Sequence, residues 1–163
     1  MKGFKPALIL LGLLVFVAST ALAQEKPAAE KSWFDMANCS FCKNLVKDTM
    51  LLKNMTWNHY DISNGVMAVT TVKPEYKAAY LEAMKAMEQV GEDMATGKIQ
   101  VQMCGHCENY GKLMMSDAKM EYVQTDVADI VLITSDKPEI VEMIKKFGQR
   151  NREELAKWET EKK

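Results

Sequence analysis

Histidine is nearly missing from this chain: His59 and His106 are the only two among 163 residues. That excludes a histidine-rich metal site and the His-Glu-x-x-His zinc motif. Neither Gly-x-Ser-x-Gly nor a glycine-rich phosphate loop occurs, so the familiar serine hydrolases and P-loop nucleotide binders are excluded too. An excess of charge of one sign is also lacking. Lys and Arg number 21 against 22 Asp and Glu, a net charge of −1. Nucleic acid and acidic membrane surfaces are poor partners for such a balance. Proline is scarce. Beyond Pro6 and Pro27 it stands only at Pro74 and Pro138.

Long apolar runs are absent as well. The longest, Ala7 to Ala18, falls short of the ~20 residues that span a bilayer. Lys2 and Lys5 precede it, and Ala21-Leu22-Ala23 follows. This order reads as a secretory signal peptide over residues 1–23, cleaved before Gln24. Residues 24–32 follow as a polar linker. Loss of Lys2 and Lys5 moves the net charge from −1 to −3. The expectation is an exported, periplasmic protein with no membrane span in the mature chain.

What the chain does have is a duplication built around sulfur. Cys39-Ser40-Phe41-Cys42 opens one copy and Cys104-Gly105-His106-Cys107 the other. Asn44 and Asn109 each stand two places beyond the second cysteine. Lys73-Pro74-Glu75 and Lys137-Pro138-Glu139 recur at nearly the same distance downstream. An exported chain meets oxidants, so four cysteines would ordinarily suggest disulfides. A bridge across two intervening residues, however, closes a tiny loop and constrains the unfolded chain little. The paired thiols therefore point to function, or to pairing between copies.

The spacing predicts the same elements twice. Cys42, Leu45, Val46, Thr49 and Met50 recur at helical intervals, as do Cys107, Tyr110 and Met114. Residues 56–62 and 66–72 form a hairpin turning at Asn64-Gly65. Residues 119–125 and 130–134 form a second hairpin. Pro74 and Pro138 each start a helix, where a missing N–H costs nothing. Tyr76, Tyr80, Ala83, Met84, Met87 and Val90 make the apolar stripe of one. Ile140, Val141, Ile144, Phe147, Leu155 and Trp158 make the other, with a break expected near Gly148. Residues 99–103 alternate as a strand, and Trp33 to Met36 is its counterpart. His59 reads as a half-exposed sheet residue, sharing a face with Trp57 and Asp61. The fold class is α+β: two tandem (β)αββα units, residues 33–97 and 98–163, with an antiparallel sheet and helices on one face. The two halves are expected to share one core around a pseudo-twofold axis.

Thiolate is both a soft-metal ligand and a nucleophile, and the start of a helix favours it. One reading makes Cys39, Cys42, Cys104 and Cys107 metal ligands. Each pair alone suits linear Cu(I), while convergence of both pairs suits tetrahedral zinc. Met103, beside Cys104, offers a further soft sulfur. The order of strand, Cys-x-x-Cys, helix, hairpin and helix over residues 98–148 resembles heavy-metal-associated domains. Residues 33–90 repeat it more loosely. The resemblance implies a ferredoxin-like order, a soft-metal cargo, and the four cysteines as ligands. The tetrapeptide Cys104-Gly105-His106-Cys107 is by itself similar to the active site of protein disulfide isomerases. That implies the alternative of a periplasmic thiol–disulfide oxidoreductase, in which Cys104 attacks and Cys107 resolves. A third alternative is a disulfide-stabilised protein-binding module. The leading expectation is an exported protein that holds Zn or Cu(I) for delivery, buffering or sensing, with a protein partner for exchange.

Overall fold

The computed structural model describes residues 31–161; the expected signal peptide and most of the expected linker lie outside them. The elements run β1 (Met55–Ile62), β2 (Gly65–Val72), α1 (Lys77–Ala95), α2 (Gly105–Met114), β3 (Lys119–Gln124), β4 (Ala128–Thr134) and α3 (Pro138–Glu161). Short 3-10 turns cover Cys42–Val46, Leu51–Lys53 and Pro74–Tyr76. The fold is α+β, as expected. Both hairpins join a single four-stranded antiparallel sheet ordered β1-β2-β4-β3.

Alternation along the strands sorts side chains onto two faces. One face takes Trp57, His59, Val66, Ala68, Val131 and Ile133, following the registers Trp57↔Thr70, His59↔Ala68, Ala68↔Val131 and Val66↔Ile133. All the helical packing lies there. Val66 and Ile133 are buried with Leu113 of α2 and with Ile144 and Phe147 of α3. Gly148 makes the close approach of α3 to β2 possible. A Cβ added there would lie 2.7 Å from Val66 Cγ2, so α3 runs through Gly148 unbroken where the sequence suggested a break. A second cluster joins Tyr80 and Ala83 of α1 to Leu45 and Leu51, with Met55 and Val72 at its rim. Met84, expected on the buried stripe, is 42% exposed.

Other expectations also differ from the structure. The helix anticipated from Cys42 to Met50 is reduced to 3-10 turns. The Asp48 carboxylate accepts a bond from the Met50 N–H at 2.8 Å, and such a local side-chain bond competes with the helical ladder. The first hairpin turns at Ser63-Asn64, because Ile62 pairs with Gly65. Gly65 is instead required for strand contact: a Cβ there would lie 1.9 Å from the Ile133 carbonyl oxygen. Residues 99–103 and 33–36 form no strand. The backbones of Trp33 and Gln102 bond the thiol loops instead.

Candidate metal centre

Each cysteine loop is held by the stretch leading into the other one. The Ser40 N–H donates to the Gln102 carbonyl at 2.8 Å, and the Gln102 N–H donates to Ser40 Oγ at 3.1 Å. The Gly105 and His106 N–H groups donate to the carbonyls of Ser32 and Trp33, both at 2.9 Å. These are the first amides of α2, which have no partner inside the helix. This is why residues 33–36 and 99–103 stay out of the sheet. Within the loops, Lys43 N–H donates to the Cys39 carbonyl and Glu108 N–H to that of Cys104, each at 3.0 Å. Asn44 Nδ2 donates to the Ser40 carbonyl at 3.2 Å and to that of Phe41 at 2.9 Å. Asn109 Nδ2 donates to the Gly105 carbonyl at 2.8 Å. The recurrent asparagines thus brace the two loops in the same way, each reaching the residue after the first cysteine.

This bracing brings all four predicted ligands together. The Sγ atoms of Cys39, Cys42, Cys104 and Cys107 all lie within 4.8 Å of one another. Cys42 and Cys107 are 3.4 Å apart, Cys39 and Cys107 3.5 Å, and Cys42 and Cys104 3.7 Å. All three of these contacts cross between the two loops. No disulfide joins the four cysteines. Cys39, Cys104 and Cys42 are buried, at 1%, 2% and 5% exposure. Cys107 alone is half-buried, so it is the least covered of the four cysteines. Met36 and Phe41 pack against the group. Met103 is half-buried beside Cys104.

The donor set fits a tetrahedral thiolate site. Ligands about 2.3 Å from a central zinc stand roughly 3.8 Å apart, close to the three distances above. Electrostatics argue the same way. Four thiols this close cannot all ionise unaided, because each new thiolate repels the last. Hydrogen bonds from Cys104 and the other thiols hold Cys39 far below an ordinary thiol, and a bond from Cys107 lowers Cys104 to about 6. Their bonds to Cys104 push Cys42 and Cys107 up. The cluster is thus part thiolate and part thiol by itself, and a cation removes the conflict by accepting all four as thiolates.

Behind the second thiol pair lies a buried polar network. Trp33 Nε1 donates to Asn151 Oδ1 at 2.8 Å, and His106 Nδ1 lies 2.8 Å from the same oxygen. That oxygen can only accept, so His106 carries its proton on Nδ1. Asn151 Nδ2 in turn donates to His59 Nε2 at 3.1 Å. His59 then bears its proton on Nδ1, which is buried with no partner. Burial lowers the His59 pKa to about 3 and that of His106 to about 4, so both rings are neutral. His106 sits among Phe34, Trp57 and Phe147, with ring centroids 4.8–5.3 Å away.

His59 is 4% exposed, against the half-exposed sheet position expected for it. Asn151, fully buried at 0% exposure, went unnoticed in the sequence. One signal was there: with Ile144, Phe147, Leu155 and Trp158 it continues the apolar stripe of α3 at helical spacing. Among the described residues no helix is long and apolar enough to cross a membrane. Set against protein-family models, curated proteins and solved structures, the chain matches none of them.

Proposed function

We propose that this protein binds one metal ion through Cys39, Cys42, Cys104 and Cys107, and that zinc is the ion the site fits best. The observation that carries the reading is the convergence of four free sulfurs, drawn from two loops, within 4.8 Å. A Cu(I) ion satisfied by two thiolates would leave the other two crowded against it. The half-exposed Cys107 supports a site that exchanges its ion. An incoming ligand can reach the cluster there, whereas a sealed structural site offers no such door. Delivery or buffering, with a protein partner accepting the ion, follows from that opening. The basic, apolar and small-residue pattern of residues 1–23 supports export to the periplasm.

The same reading takes the two halves as tandem copies. The matching bonds of Asn44 and Asn109 support it. So does the register between β2 and β4. Cys39 and Cys104, like Asn44 and Asn109, set an offset of 65 residues. Under that offset Met67 and Leu132 exchange places, and they are partners in the register. The oxidoreductase alternative has less support, since Cys104, its attacking thiol, is 2% exposed.

The test is metal analysis of protein purified anaerobically. One zinc per chain is expected, together with the visible spectrum of tetrahedral thiolate coordination after exchange with Co(II). Two Cu(I) per chain would replace the single site by two linear ones. Metal-free protein that turns over a disulfide substrate would overturn the proposal.

A further inference from the structure

The face of the sheet turned away from the helices carries an apolar patch, half-buried at its centre, that belongs to none of the hydrophobic clusters of the described residues. The register places Tyr60, Met67, Leu132 and Glu121 in one cross-strand row, and Asn58, Val69, Ile130 and Val123 in the next. At the centre stand Met67, Val69, Ile130 and Leu132. None of the four belongs to the clusters packed beneath the helices. Tyr60 and Val123, at the two sides, are 51% and 45% exposed. A contiguous apolar surface of this kind on a folded domain marks an interaction site.

We propose that this face docks a second copy of the same chain, sheet upon sheet. The first argument is area. Four strands about 4.8 Å apart and about seven residues long cover a footprint of roughly 19 by 23 Å. With side-chain relief, each copy would lose roughly 600–700 Å² of accessible surface, which reaches the range of stable interfaces, about 1,200–2,000 Å² in total. The second argument is charge. Lys119 and Glu121 are the only charged residues that the four strands place on this face, two residues apart on β3, and Lys119 already pairs with Asp136 beyond the end of β4. The face therefore carries little net charge and offers nothing to a strongly charged partner. The thiol cluster lies with the helical layer, so both copies would keep Cys107 open.

Sedimentation of the protein as the producing cell processes it, reduced and metal-loaded, tests this. A dimer mass is expected. Val69→Lys and Leu132→Lys should each raise the dimer dissociation constant at least 100-fold while leaving bound metal unchanged. Hydroxyl-radical footprinting of the unmodified protein needs no variant. Met67 should be labelled several-fold less at about 200 µM than at about 2 µM, while Met115 on the helical side is labelled equally at both. A monomer at the higher concentration overturns the proposal. So does a dimer indifferent to Val69→Lys, or a Met67 shielded equally at both concentrations, which would mean that another part of the chain covers the face.

Discussion

His106 and Asn151 are joined by a 2.8 Å hydrogen bond that ties the second thiol loop to the middle of the C-terminal helix. The same asparagine oxygen accepts from Trp33, so one side chain anchors the approach to the first loop and the start of the second helix. Asn151→Leu leaves a Trp N–H and a His N–H buried without acceptors, each costing roughly 1–3 kcal/mol. A loss of about 3 kcal/mol in urea unfolding of the metal-loaded protein is expected. An unchanged midpoint would show the network to be dispensable.

Acid should unfold the protein partly through His59. Its pKa is lowered by burial to about 3, from an ordinary 6.5. Between those values the unfolded chain takes up a proton that the folded protein refuses. The stability is therefore fully present above about pH 6.5 and drains away as the pH falls toward 3. The slope approaches about 1.4 kcal/mol per pH unit for one proton. Comparing the wild type with His59→Gln between about pH 6 and 4 isolates this contribution. A wild-type slope no steeper than the variant's would contradict it.

Removal of single thiols should rank by burial. Cys42 is 5% exposed, and Cys42→Ser leaves a site that water cannot easily complete. A drop in zinc affinity of at least 100-fold, about 2.7 kcal/mol, is expected. Cys107→Ser changes the least covered of the four residues, where water most readily takes the place of sulfur, and should cost less. Competition with a chromogenic chelator measures both, and the reverse ranking would remove Cys107 as the route of exchange.

Two glycine substitutions should have opposite signs. Gly91→Ala in α1 meets nothing within 4 Å and should stabilise by about 0.5–1 kcal/mol through helix propensity. Gly148→Ala drives a methyl group into Val66 and should cost about 1–3 kcal/mol by overpacking. Thermal melting of the two variants decides the matter, and equal shifts would mean that α3 can move off the sheet.

The hairpins were legible because each strand alternates and ends in a turn, both of which are local properties. The four thiols were legible because a cysteine pair at that spacing has few other uses. The reading of Ile99 to Met103 as a strand had the right alternation, but strands also need partners. The partner of Gln102 is Ser40, 62 residues away and outside the sheet. Asn151 was hidden for a similar reason. A polar residue on an apolar stripe acquires meaning only when Trp33, His106 and His59 close around it.

The order of residues by itself determined the α+β class, the two hairpins, the helix starts at the prolines, and the cysteine pairs as the candidate site. These follow from periodicity, backbone restriction and side-chain type, which act over a few residues. Tertiary structure alone decided that the two cysteine pairs meet, that Cys107 is less buried than the other three, and that the helices pack on one side of the sheet. Those depend on backbone bonds and burial between segments more than sixty residues apart, whose pairing no local pattern encodes.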